Sequence, residues 1–257
     1  MKEKMDELYL RCSQSNESFD KYNTVAAISA CKHFVDEFST WYIRRSRDRV
    51  GPSSEDPQDR QAFYNTTYVV LTTFSKLIAP VTPFISENIF RNLTDKESVH
   101  LEMWPEVETS LINDNLEKEM SNAMSLSSVL NAFRKEKGVK VKIPFRELTY
   151  TGSEISTKIL EIVKEEGNVY ELVFGGKADE YKIEGSTNED NLDAVAGEVR
   201  DLIRQIQSER KKMGTKIDQK INVYLSSWPQ DFEKEIKKKA LVNEIIKSDS
   251  FKIEVLQ

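Results

Sequence analysis

A change of rhythm at Gly138 constrains more of this chain's folding than any other feature. Before it, apolar residues recur every three or four positions, the spacing of one helix face. After it, Val139, Val141 and Ile143 alternate with Lys140 and Lys142, the period of a strand. Ahead of the change, residues 4–18 read as a weakly patterned helix. Asn23 or Thr24 then caps a long helix along Val25, Ile28, Cys31, Val35, Phe38 and Tyr42, stopped by Gly51-Pro52. Phe63, Thr67, Val70, Phe74, Leu77 and Ile78 trace a third helix, and Thr82-Pro83 launches a short fourth with Phe84, Ile85, Ile89, Phe90 and Leu93 inward. The extended segment 98–108 carries Leu101, Met103 and Trp104 to lay against these helices. A fifth helix, capped by Asn113 or Asp114 and closed by Gly138, turns Leu116, Met120, Met124, Val129, Leu130 and Phe133 inward and joins them. Short connections predict antiparallel packing.

Beyond Gly138 the strand over 139–143 runs on into RELTY, and Ser153 caps a helix along Ile155, Ile159, Ile162 and Val163 that ends at Gly167. VYELVF and DEYKIE around GGKA read as a hairpin. A strong helix over about 192–212 precedes the alternating strand INVYL, a helical region from Pro229 to about Lys247, and a final strand FKIEVL. No internal repeat stands out. The predicted architecture is multidomain: an all-α antiparallel helical bundle over 1–138, then a small α+β domain over 139–257, with the boundary near 138–150.

Composition removes several function classes. With 39% hydrophobic and 31% charged residues, the 257-residue chain can bury a proper core. Two cysteines, Cys12 and Cys31, with His33 and His100, supply neither a four-ligand zinc site nor a disulfide framework, which fits a reducing compartment. The charged N-terminus lacks the apolar run of a signal peptide, and no segment approaches the ~18 apolar residues of a membrane span. A cytoplasmic, membrane-free protein is expected. GxSxG, P-loop, GxGxxG and HExxH motifs are all missing, and neither histidine has a nucleophile at a recognisable spacing, so independent catalysis is not expected.

Positive charge in this chain of net charge -6 is concentrated at three element ends. WYIRRSRDRV puts Trp41 before Arg44, Arg45, Arg47 and Arg49, more cations than a helix dipole needs, with Asp48 neutralising one. RKEKGVKVK supplies Arg134, Lys135, Lys137, Lys140 and Lys142. RQIQSERKKMGTK supplies Arg204, Arg210, Lys211, Lys212 and Lys216. Arginine's planar fork suits phosphate, and three discrete patches look like contact points for one extended, phosphate-bearing partner. The competing reading is a set of solvated or internally paired faces.

FVDEFSTWYIRRSRDR, residues 34–49, closely resembles the hallmark helix of the anticodon-binding domain of isoleucyl-tRNA synthetases, class I aminoacyl-tRNA synthetases. The resemblance continues through LTTFSKLIAPVTPFISENIF (71–90), SVHLEMWPE (98–106) and LEKEMSNAMSLSSVLNAFRKEKGVKVKIPFREL (116–148). AGEVRDLIRQIQSERKKMGTKIDQKINVYL (196–225) is similar to the family's C-terminal region, while 150–192 matches least. HIGH-type and KMSKS-type motifs have no counterpart. The resemblance therefore implies that Met1 opens a piece lying after an N-terminal catalytic portion. To that portion would belong ATP, magnesium and amino-acid activation, with no cofactor in this chain. It implies a tRNA partner, the anticodon stem-loop of isoleucine tRNA. Arg44, Arg45, Arg47 and Arg49 would lie on phosphates, and Trp41 either stacks on an unpaired base or sits in the core. Lys135, Lys137, Lys140 and Lys142 would line the flank. The alternatives are the equivalent domain of a valyl or leucyl enzyme, or a protein-docking module.

Overall fold

The computed structural model describes residue 21 and residues 23–54, 56–106 and 112–256; the expected helix over 4–18 lies outside them. The chain divides into two compact units, residues 1–117 and 118–257.

The first unit is helical in its described residues. Asn23 caps α1 (Thr24–Glu37) as expected, its Oδ1 accepting from the Ala26 amide at 3.1 Å. A π-helical turn, Phe38–Ile43, continues it, and after a break at Ser46 the one-turn α2 (Arg47–Val50) runs into Gly51. Asp56 caps α3 (Pro57–Ile78), accepting from the Gln58 and Asp59 amides. Proline also opens α4 (Pro83–Leu93), although the Thr82 hydroxyl in the cap position turns back to the Ile78 carbonyl.

The core of this unit is a ladder of rings. Phe34, Phe38, Tyr42 and Phe63 stack in sequence with centroids 5.6, 5.3 and 5.7 Å apart, and Phe74, Val70 and Leu77 fill in beside them. The predicted stripe on α1 is therefore only half right. Burial follows Ala27, Phe34, Phe38 and Tyr42, whereas Val25 is 78% exposed and Ile28 and Val35 border an apolar groove of ≈ 600 Å³ with Leu71, Ile78 and Ile85. Two apolar stripes fit this helix, and the one carrying rings buries more area. On α4 it is Ser86 and Phe90 that are buried, and Phe84 points outward. In the segment after α4, Val99 is the buried residue, while Leu101 and Met103 are exposed. Ion pairs from Lys76 and Lys96 to Glu102 fix its course.

The fifth helix, α5 (Asp114–Glu136), is capped by Asn113. Three of its contacts lie within the second unit. The Ser156 hydroxyl donates to Glu119, Leu130 packs on Gly167, and Arg134 donates to carbonyls as far away as Asn168. The divide between units accordingly falls at Glu117, ahead of the expected 138–150 boundary.

After α5 come β1 (Phe145–Thr151), α6 (Thr157–Gly167), β2 (Val169–Gly176) and β3 (Lys182–Glu184), with sheet order β2-β1-β3. Three expectations change here. Residues 139–143 form turns rather than a strand, α6 starts after Ser156 rather than at Ser153, and VYELVF and DEYKIE are not a hairpin. The helical crossover α6 returns β2 parallel to β1, with Phe145 opposite Val169, leaving β3 to pair antiparallel on β1's other edge. The second half follows as α7 (Ala194–Lys212), β4 (Ile221–Leu225), α8 (Glu233–Ala240), β5 (Val242–Lys247) and β6 (Lys252–Val255), with order β5-β4-β6. The helix expected to reach Lys247 ends at Ala240, because Leu241 takes the left-handed conformation and the chain enters β5 directly.

These two halves are one motif used twice, a repeat that the sequence reading missed. Each runs helix, strand, helix, parallel strand, antiparallel strand. α5 buries Ala123, Ser127, Leu130 and Arg134; α7 buries Val199, Ile203, Ile206 and Arg210 at the same spacing. Four residues beyond each arginine stands a glycine at φ 68°, Gly138 and Gly214. Eleven beyond stands the buried first residue of the central strand, Phe145 or Ile221, whose amide donates to the left-handed residue after the crossover helix, Asn168 or Leu241. Polar loops of different length and sparse identity hid this equivalence.

Candidate nucleic-acid interface

Geometry separates the thirteen predicted contact residues into those held inside the fold, those paired at its surface, and those left open. In the first cluster, the π-helical turn rotates Phe38 and Tyr42 into the ring ladder and leaves Trp41 half-buried at the surface of the helix end. Arg44 is exposed, its Nε donating to the Thr40 carbonyl at 2.7 Å, and Arg45 is half-buried. Arg49 is committed elsewhere: Nε and Nη2 grip both oxygens of Asp59 at 2.7 and 2.5 Å. That hydrogen bond raises the guanidinium's pKa and holds the Asp59 carboxyl below its usual value. Sequence reasoning named Asp48 as the neutralising residue and missed Asp59, which only the turn between α2 and α3 brings alongside. Arg47 is exposed, and among the described residues its side chain has no hydrogen-bond or ion-pair partner.

In the second cluster Arg134 is a correction. It is 1% exposed, forks to the carbonyls of Gly167 (2.8 Å), Ile143 (2.9 Å) and Asn168 (2.6 Å), reaches Lys140 O at 3.3 Å, and lies 4.5 Å from the Phe145 ring centre. Burial, and secondarily the nearby Arg200, lowers its pKa to about 10, so it stays charged at neutral pH. A guanidinium so occupied holds the loop together and presents nothing to a partner. Lys137 pairs with Glu136 at 3.0 Å and lies over Phe133, and Lys142 pairs with Asp201. Lys135 and Lys140 are exposed, with no side-chain hydrogen bond or ion pair among the described residues.

The third cluster repeats the pattern. Arg210, 7% exposed, donates to the carbonyls of Ala240, Lys216 and Ile217, and its pKa is lowered by burial; it too is withdrawn from the surface. Lys212 pairs with Glu209, whereas Lys211 and Lys216 are exposed and unpaired among the described residues. No group of His, Cys, Asp and Glu among the described residues is arranged to hold a metal ion. His33 pairs with Glu37 at 3.0 Å on α1. The arrangement is thus a set of open cations on short loops and helix ends, suited to touching phosphates at several points.

Residues 4–150 match the model of the family described as the anticodon-binding domain of tRNA ligase, and the chain belongs to that family. Within it the likeness is to isoleucyl enzymes. The chain is 36% identical over 184 residues to the isoleucine--tRNA ligase of Chlamydia trachomatis serovar L2, covering 69% of this chain and 18% of that protein. It is likewise 36% identical to those of Thermoplasma acidophilum, over 62% of this chain and 15% of that protein, and Clostridium novyi, over 64% and 16%. It therefore spans less than a fifth of the length of these relatives. No helix among the described residues is long and apolar enough to cross a membrane.

Proposed function

We propose that the chain recognises the anticodon stem and loop of isoleucine tRNA as one part of an isoleucine--tRNA ligase in the cytoplasm. Attachment of isoleucine, with its ATP and magnesium, then belongs to a catalytic portion outside this chain. The observation that carries the reading is the family match running across the arginine cluster of α1 and α2, where Arg47 stands open and Arg44 and Arg45 flank it. Arg44, Arg45 and Arg47 meet phosphates of the stem-loop, Trp41 offers the exposed part of its indole to an unpaired base, and Arg49 acts by holding α2 against α3. Phosphate contacts supply affinity and register, while base edges in the loop supply specificity.

Competition binding tests this directly. Labelled isoleucine tRNA is bound to the full chain, and unlabelled anticodon stem-loops compete. The isoleucine stem-loop is expected to compete, and one with an exchanged anticodon to compete at least tenfold less well. Equal competition by valine or leucine stem-loops would reassign the domain to a relative, and no competition by any RNA would favour protein docking.

A further inference from the structure

The duplicated motif of the second unit carries a duplicated surface. In the first copy the segment RKEKGVKVK holds five basic residues and one acidic, and over the same nine positions of the second copy RKKMGTKID holds four and one. Counting from the buried arginine, the lysine one residue on is Lys135 or Lys211, and the lysine six residues on is Lys140 or Lys216. These four are the unpaired lysines of the two loops, while Lys137, Lys142 and Lys212, which lack a matching lysine or a matching pairing in the other copy, are spent on carboxylates. Seven residues on stands an aliphatic side chain facing solvent, Val141 at 59% and Ile217 at 79% exposure. In both copies the buried guanidinium fixes the backbone at the second lysine, accepting positions being Lys140 O and Lys216 O. Folding alone explains the arginine, which ties the loop carbonyls together, and the glycine, which takes the left-handed conformation. It does not explain two open lysines and an exposed aliphatic group at the same three places twice.

We infer that the loops over 134–141 and 210–217 are two equivalent RNA contacts. In each, a lysine pair takes backbone phosphates, and the aliphatic side chain rests on the apolar face of a ribose or base between them. Resting on the reading above, this adds a second, repeated anchor to anticodon recognition. Helix α7 spaces the contacts: Lys142, directly after the first loop, pairs with Asp201, and the second loop lies at the helix end near Lys212, about 16 Å along the axis at 1.5 Å per residue. That span reaches over several nucleotides. Lysine ammonium groups read charge without sequence, so both contacts are indifferent to the base.

The test measures binding of the full chain to isoleucine tRNA over a salt series. Lys135→Ala/Lys140→Ala and Lys211→Ala/Lys216→Ala are each expected to flatten the log-log slope by about 1.4–1.8, at roughly 0.7–0.9 per lost phosphate contact, and the quadruple variant by about twice that. Val141→Ser and Ile217→Ser are expected to weaken binding severalfold with the slope unchanged. Lys237→Ala, which only breaks a pair with Glu233, is the control and leaves both unaltered. If the wild type binds with a salt-dependent slope but the Lys211/Lys216 variant keeps it, the repeated contact is overturned while anticodon recognition stands. If the wild type shows no salt-dependent tRNA binding, both fall.

Discussion

Replacing Arg134 by methionine removes a cation with an unusual account to settle. Burial works against its charge and lowers its pKa to about 10. Against this stand three short hydrogen bonds and one long one from a charged donor to backbone carbonyls, worth about 1.5 kcal/mol or more each, and the contact with Phe145. The balance is a net loss of about 3 kcal/mol for Arg134→Met, because the carbonyls of Ile143, Gly167 and Asn168 lose their shared donor. Arg134→Lys, with one ammonium that cannot fork, loses about half as much. The folded pKa lies below the unfolded one, so this group's contribution to stability grows only as pH rises above about 10; at pH 7 it is charged in both states and constant. Two compact units make a single unfolding transition unsafe to assume, so hydrogen exchange of β1 and α6 amides is the assay. A methionine variant whose β1 amides exchange within a factor of about five of wild type would show that Arg134 does not hold this strand in place.

Four other outcomes follow from the same geometry. Arg47→Ala lowers the salt slope of tRNA binding by about 0.7–0.9, whereas Arg49→Ala, measured alongside it, changes the slope less than half as much. Because Arg49 holds the Asp59 pKa below its usual value, the stability this pair adds is full above about pH 4 and lost as pH falls further; acid titration of unfolding in Arg49→Ala shows that loss abolished. Gly167→Ala, whose added methyl would sit 1.6 Å from Leu130 Cδ2, destabilises the second unit by about 1–3 kcal/mol in denaturant melts. Gly138→Ala and Gly214→Ala, both at φ 68° with open space around them, each cost about 1–2 kcal/mol from backbone strain alone, and asparagine restores part of it at both.

Much of the helical part was legible because capping and periodicity are local signals. Asn23, Pro83 and Asn113 mark their helices in the sequence as they do in the structure, whereas the start of α3 at Asp56-Pro57 was not read. What sequence could not decide was which of two apolar stripes on α1 turns inward, since that depends on rings from α3 meeting Phe34 and Tyr42. Strand pairing was likewise hidden: GGKA has the composition of a hairpin turn, yet β1 accepts partners on both edges only once α6 has crossed over. The basic clusters were visible as charge but not as roles. Arg134 and Arg210 look like their lysine neighbours in a charge count and differ by being buried, which the helix face with Leu130 and Ile206 four residues earlier foreshadows.

Open cations on this chain are proposed to lie along the backbone of an anticodon stem and loop. Hydroxyl-radical footprinting of isoleucine tRNA bound to the full chain reads the covering of its sugar-phosphate backbone nucleotide by nucleotide. Protection is predicted on the anticodon stem and loop, shrinking in separate patches when Arg47 or the Lys211/Lys216 pair is replaced. Protection confined to the acceptor stem, or none above that of an unrelated tRNA, would contradict it.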